Sequence, residues 1–372
     1  MSDRYPQRTA AEFRDAIVKY RGNRTRLTHL LFAAIHARRM PAIQAILAEG
    51  VSVDAIDPTE PVPGLTPQSI RRPTTHGLCA LAIAGRMGGN ANDLKIAEWL
   101  LDQGASAAGP GTVLLCRVEL LPRLLEGGAD INARGEDYNP LFFAIKNRTK
   151  QDKSVALIEA GADLTGVDTQ GFTPLHAAIK NGRRETAEAL LKAGADRFAL
   201  DLSGRSPFRL GVESLAGLHF QTESDIRATR SILRSLRDEL PAQPEDIFLA
   251  ALAFDDSSAL SSVLGDSSDS INQTLPGPAG YFVPKVDVIA KIKEEGLIAG
   301  IDETYEFVED CGTPWPLLSW AVLLDAPKCI RWMIQAGADP EIEIPGLPTP
   351  RLLASKCQAK DSVHKALASN GL

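Results

Sequence analysis

Residues 171–195 read Gly171-Phe172-Thr173-Pro174-Leu175-His176-Ala177-Ala178-Ile179-Lys180-Asn181-Gly182-Arg183-Arg184-Glu185-Thr186-Ala187-Glu188-Ala189-Leu190-Leu191-Lys192-Ala193-Gly194-Ala195. Thr173 carries the side-chain oxygen that caps a helix start, and Pro174 suits the first helical position, where its missing N–H leaves no bond unmade. Leu175, Ala178 and Ile179 recur at helical spacing and share one apolar face. Asn181-Gly182 interrupts that helix. A second one follows, with Ala187, Leu190 and Leu191 on its buried side and Gly194 free to take the positive φ of a helix C-terminus. One such hairpin buries too little apolar surface to stand alone, so stacked neighbours are required.

The neighbours show as a period. Gly128, Gly161 and Gly194 each close a Leu-rich helix in the phrase Gly-Ala-Asp, and the two intervals between them are equal. Related phrases stand at Gly50, Gly104 and Gly337, with a weaker one at Gly265. Through Thr173-Pro174-Leu175-His176 with Ala178, through Leu190-Leu191 and through Gly194-Ala195-Asp196, the chain resembles the ankyrin-repeat family, and the interval is that family's period. The resemblance is sharp from about residue 128 to about 210 and extends in weaker form over most of the chain. It implies an all-α fold, an ankyrin-repeat solenoid of stacked helix–turn–helix units with short β-hairpin loops. About eight or nine units are expected, several of them degenerate, with long loop insertions.

Residues 1–26 read as an N-terminal helical cap around a helix from Ala10 to Tyr20, and 27–265 as repeats with insertions near 55–75 and 85–93. Residues 266–312 read as an acidic insertion and 313–372 as C-terminal repeats and capping helices. These boundaries come from broken spacing. Gly50 to Gly104 is well over one period, whereas Gly104 to Gly128 falls short of one, so the unit containing Thr112 to Cys116 is truncated. In 225–237 the apolar residues Ile226, Ile232, Leu233 and Leu236 alternate with arginines, which fits a helix with a solvated charged face or a basic patch for an acidic partner. Trp315, where the resemblance places a leucine, is expected in the core.

The 372 residues carry 40 basic and 47 acidic side chains, a net charge of −7, which argues against the phosphate-neutralising surface that nucleic acid requires. No apolar run long enough to span a membrane is present and no secretory signal opens the chain, so neither a membrane partner nor export by that route is expected, and the default location is cytoplasmic; a specialised secretion system stays open. The five cysteines are odd in number, widely spaced and without a Cys-x-x-Cys pair, and read as reduced core fillers.

Chemistry-bearing motifs are missing: no Gly-x-Ser-x-Gly, no His-Glu-x-x-His, no phosphate loop and no dinucleotide fingerprint. The chain is read as no enzyme, with no catalytic residue, cofactor or metal. For His176 the resemblance implies hydrogen bonding between neighbouring hairpins.

The resemblance also implies that the chain binds another protein through hairpin tips and the inner helix face. The variable tip residues are then Arg134, Glu136, Asp137 and Tyr138; Val167, Thr169, Gln170 and Phe172; Leu200, Leu202, Ser203 and Arg205. Tyr138, Phe172, Leu200 and Arg205 are the expected contacts, because large or apolar groups stand there without a folding need. In the insertion, Asp302, Glu303, Tyr305, Glu306 and Phe307 combine aromatics with one sign of charge; they either anchor a basic protein surface or tuck the insertion onto the repeats. The expected function is a dedicated adaptor or inhibitor, a toxin-neutralising one included. The alternative is a secreted bacterial effector, or a modifying enzyme built around 266–312.

Overall fold

The computed structural model describes residues 9–57, 78–86, 91–109, 111–133, 139–146, 153–217, 223–237, 244–264, 271, 274–276, 280–284, 305–309 and 314–369. They divide into two compact units, Met1–Asp163 and Leu164–Leu372.

In the first unit, helix α1 (Ala10–Lys19) starts at a reciprocal cap in which Thr9 Oγ1 accepts the Glu12 N–H and Glu12 accepts the Thr9 N–H. Its buried face, Phe13, Ala16 and Ile17, packs on both α2 (Arg24–His36) and α3 (Met40–Ala48). The hairpins that follow are α4 (Ala80–Arg86) with α5 (Ala91–Asp102), α6 (Thr112–Leu115) with α7 (Leu121–Glu126), and α8 (Pro140–Lys146) with α9 (Lys153–Glu159). Their leading helices touch in sequence, α2 to α4 to α6 to α8, and Leu31, Ile35, Leu81, Ile83 and Ile145 fill the seam. Ile56 and Cys79 form an antiparallel bridge, so the long segment between them leaves and re-enters at one finger. The predicted insertions near 55–75 and 85–93 otherwise fall largely outside the described residues.

The second unit opens with α10 (Pro174–Lys180) and α11 (Arg184–Lys192), the hairpin read from 171–195, with Pro174 at its first turn and Thr173 as N-cap. Gly194 sits at φ 87°, where a side chain would be strained, and the closing glycines 50, 104, 128, 161 and 337 share that conformation. Next come α12 (Pro207–Gly217), α13 (Glu223–Arg237), α14 (Pro244–Ala253) and α15 (Ser257–Leu264). Three arginines of α13 are engaged by neighbouring elements. Arg230 donates to the Leu324 carbonyl (3.4 Å), Arg237 pairs with Asp256 (3.0 Å), and Arg234 and Arg237 lie over Phe254.

The described residues of the acidic insertion are mostly strand. Strand β1 (Thr274–Pro276) pairs antiparallel with β4 (Pro314–Pro316), and within that pair β2 (Gly280–Pro284) pairs with β3 (Tyr305–Glu309). The two ladders are nested in sequence, and β2 runs beside α12. Trp315 is buried, as expected of a core residue, but in strand β4 opposite Leu275 instead of in a helix. The helix expected from Thr313-Pro314 therefore starts later, as α16 (Leu317–Leu323) behind the N-cap Pro316. The unit ends with α17 (Pro327–Gln335), α18 (Pro350–Lys356) and α19 (Asp361–Ala368).

In five of the described repeats the inner turn uses one left-handed residue. Gly182 (φ 61°) supplies it between α10 and α11, while Arg38, Asp255, Asp325 and Gln358 accept φ of 50–56° in other repeats. Three of these reach the following repeat. Arg38 pairs with the buried Asp93 at the start of α5, Asp255 Oδ1 accepts the Lys328 and Cys329 N–H groups (2.8 and 3.0 Å) at the start of α17, and Asp325 pairs with Lys360. A left-handed L-residue costs roughly 1–2 kcal/mol. At Asp255 that cost is offset by capping the next repeat's helix.

Among the described residues, Cys79, Cys116, Cys329 and Cys357 are buried free thiols. Burial raises all four thiol pKa values, that of Cys357 to about 11, which keeps them protonated and unreactive. Cys311 lies outside the described residues.

Candidate protein-binding fingers

Two consecutive connections, 164–172 and 197–205, are built alike. In the first, the Asp168 N–H donates to the Phe172 carbonyl (3.1 Å) and Gly171 N–H to the Asp168 carbonyl (3.0 Å). In the second, one repeat on, Asp201 N–H donates to Arg205 (3.0 Å) and Gly204 N–H to Asp201 (2.9 Å). Each aspartate turns its carboxylate into its own loop. Asp168 Oδ1 accepts from Gln170 and Phe172 (2.9 and 3.1 Å), and Asp201 Oδ1 from Ser203 and Arg205 (2.8 and 2.9 Å). These are the local bonds that suit Asp to turns.

The fingers are stitched to each other. Leu202 N–H donates to the Gln170 carbonyl (3.2 Å), and Gly171, at φ 75°, lies so close that a Cβ there would stand 2.7 Å from the Leu202 nitrogen. His176 makes the second stitch. Its Nδ1 accepts the Thr173 N–H (3.3 Å) and meets Thr173 Oγ1 (2.9 Å), so the proton sits on Nε2, which donates to the Arg205 carbonyl (3.0 Å). Burial pushes the imidazole pKa below its ordinary value and favours this neutral form. This is the inter-hairpin role that the resemblance implied.

The expected contact residues separate here. Leu200 is exposed, at 64 %, where a tip residue was predicted. Phe172 is not: it is 2 % exposed, stacked on His176 with ring centroids 5.7 Å apart and covered by Lys180 and Arg205. The reason is its place on the return arm, where the residue before Thr173 points under the finger. Arg205 stands at the matching position of the next repeat and is half-buried. Its guanidinium is bonded to Asp201 (2.8 Å) and Glu213 (3.2 Å), and Glu213 also holds Arg209, which lies over Trp320. Phe172 and Arg205 are thus internal braces. Tyr138, Asp302 and Glu303 lie outside the described residues. Tyr305, Glu306 and Phe307 are brought together in β3, in register with Pro284, Val283 and Phe282.

Residues that the sequence undervalued surround Leu200. Val167 (61 %), Leu202 (80 %) and Phe198 (43 %) are also exposed. Phe198, Leu200 and Leu202 alternate with the half-buried Ala199 and the buried Asp201, and this alternation is the signal that marks them in retrospect. Val167 holds the position of Leu200 one repeat earlier. Four large apolar side chains on two adjoining fingers form the kind of patch that marks a contact surface.

The fold and its fingers define a helical repeat protein. Residues 114–201 match the family model described as Ankyrin repeats, in three copies, a segment that takes in most of the truncated α6–α7 unit, the first finger and the first half of the second. That segment is built of ankyrin repeats, which generally mediate protein–protein interaction. No curated protein matches the chain. No described helix is long and apolar enough to cross a membrane, and no group of three or more metal-ligating side chains occurs among the described residues.

Proposed function

We propose that the chain is a non-catalytic binding module, an adaptor or inhibitor, that engages one protein partner through the fingers 164–172 and 197–205. The supporting observation is the exposure of Val167, Phe198, Leu200 and Leu202 on a scaffold that buries their neighbours and satisfies the polar groups of the loops. Fixed backbone and large apolar groups together lower the ordering cost of binding and supply its anchors. The acidic ribbon is a second contact in this reading.

A photo-crosslinking residue placed at position 200 in the native host tests the proposal, with one at position 352, an exposed leucine on α18, as control. A discrete adduct at 200, lost when Leu202→Asp is added and missing at 352, supports it. Equal labelling at both positions, or none at 200, sinks it.

A further inference from the structure

We infer that Asn181 is a self-modification site which the turn between α10 and α11 holds unreactive, and that its conversion to aspartate or isoaspartate weakens this repeat. The chain contains two Asn-Gly pairs, Asn181-Gly182 and Asn370-Gly371, and the second lies outside the described residues. At such a pair the glycine nitrogen can attack the asparagine Cγ, because glycine carries no side chain to shield it. The N–Cγ bond forms, and the side-chain nitrogen leaves as ammonia with the proton that the glycine N–H gives up. Water then opens the five-membered imide. Cleavage of the new N–Cγ bond gives aspartate; cleavage of the original peptide bond gives isoaspartate, with one extra methylene in the backbone. Water is the only co-reactant.

The fold both uses this pair and restrains it. Gly182 supplies the left-handed residue of the turn at φ 61°. The equivalent turns carry Ala37-Arg38, Phe254-Asp255, Leu324-Asp325 and Cys357-Gln358, none with an asparagine. Both reacting groups of the Asn-Gly pair are tied. Gly182 N–H donates to the Ile179 carbonyl (3.0 Å), and Asn181 Nδ2 donates to the Ala177 carbonyl (2.7 Å). The backbone angle also opposes reaction: at ψ 8° the Asn181 nitrogen lies nearly eclipsed with the Gly182 nitrogen, whereas the imide ring requires Cβ there. Attack therefore waits for the turn to open.

Conversion disfavours reclosing. An aspartate at 181 sets a carboxylate oxygen against the Ala177 carbonyl where the Nδ2 donor stood, at the negative end of α10. The extra methylene of isoaspartate displaces Gly182 and the Arg183 N–H, which closes onto the Ala178 carbonyl (2.8 Å). Helix α10 also carries His176, the stitch to the Arg205 carbonyl, so the loosened repeat is the one that joins the two fingers.

The experiment incubates the full chain at mildly alkaline pH in three states: native, in urea below the unfolding transition, and unfolded in urea. Digestion after glutamate isolates residues 160–185, in which mass spectrometry and isoaspartate-specific methylation follow Asn181. Conversion is expected to be at least about tenfold slower in the native chain than in the unfolded one and to rise with urea before the transition. The folding equilibrium constant of Asn181→Asp is expected to be about tenfold lower than that of the native chain. Equal rates in the native and unfolded chains overturn the restraint, and no conversion in the unfolded chain overturns the site. An Asn181→Asp variant as stable as the native chain overturns the weakening. Should that variant not fold, the aged native chain replaces it: converted molecules are expected in the fraction that unfolds at lower urea, and equal conversion in both fractions overturns the weakening.

Discussion

The α10–α11 repeat and the α6–α7 repeat solve the same problem by different means. In the first, the leading helix ends in Asn181-Gly182, the Arg183 N–H closes onto the Ala178 carbonyl (2.8 Å), and Asn181 Nδ2 donates to Ala177 (2.7 Å). The helix ends are satisfied from within the repeat. In the second, the leading helix is only Thr112–Leu115, and its C-terminal carbonyls lack those partners. The buried Lys153 of α9 supplies them from the following repeat: its Nζ donates to the carbonyls of Val113, Leu114 (3.1 Å) and Cys116 (2.9 Å). Burial lowers the lysine pKa, and the negative end of the short helix compensates part of that cost. A repeat can therefore lose most of a helix if a neighbour supplies a cation, and it then depends on that neighbour.

Breaking that link is the largest effect expected. Lys153→Ala removes the cation and its stem and takes a donor from three carbonyls, and stability measured by urea unfolding should fall by about 3 kcal/mol. Lys153→Met keeps the stem and should lose most of the same amount; a loss below about 0.5 kcal/mol would make the lysine a passenger.

In the regular repeat, His176→Gln should cost about 2 kcal/mol at about pH 7, since the stitch to Arg205 and the Thr173 contacts go together. It also carries a pH signature. A base whose folded pKa is depressed contributes stability that is fully present above the unfolded value, about 6.5, and is lost as pH falls through the folded value. The native protein should therefore weaken below about pH 6.5, and the variant should weaken less. His36, also depressed by burial, keeps some of the slope in both.

The left-handed turns give a smaller test. Asp255→Gly relieves strain but uncaps α17, for a net loss of about 1 kcal/mol. Gln358→Gly occupies the same conformation at an exposed site and should gain about 0.5 kcal/mol. Thermal unfolding of the pair separates strain from capping. The smallest change is expected from the ribbon. Pro276 and Pro314 face each other across β1 and β4, so an Asn-Gly turn can replace 277–313. Stability should move by less than about 1 kcal/mol, because Leu275 and Trp315 stay packed and the loop closes over a shorter chain. A collapse of the second unit would show that the ribbon beside α12 is structural.

Much of the fold was legible because its signals are local. Thr173, Pro174, Asn181 and Gly194 act through their own φ angles and nearest hydrogen bonds, and the regular interval between closing glycines repeats that grammar. The site was less legible. Leu200 was readable as a large apolar residue without a folding task, and Val167 and Leu202 stood among the variable tip residues; Phe172 looked the same on paper. What separated them was whether packing covered the position, and that cover is made by His176 and Lys180 on α10 together with Arg205, a full repeat further along the chain.

The sequence by itself determined the repeat, its helix ends and the truncation at 112–128, since each is written in neighbouring residues and in the spacing between recurring phrases. Only the tertiary structure decided that Lys153 closes another repeat's helix, that Asp255 caps α17 from the far side of the insertion, and that Tyr281 and Phe282 pair with Val308 and Phe307 within it. Burial and long-range hydrogen bonding depend on what the chain brings alongside a residue, and the residue's own identity does not carry that information.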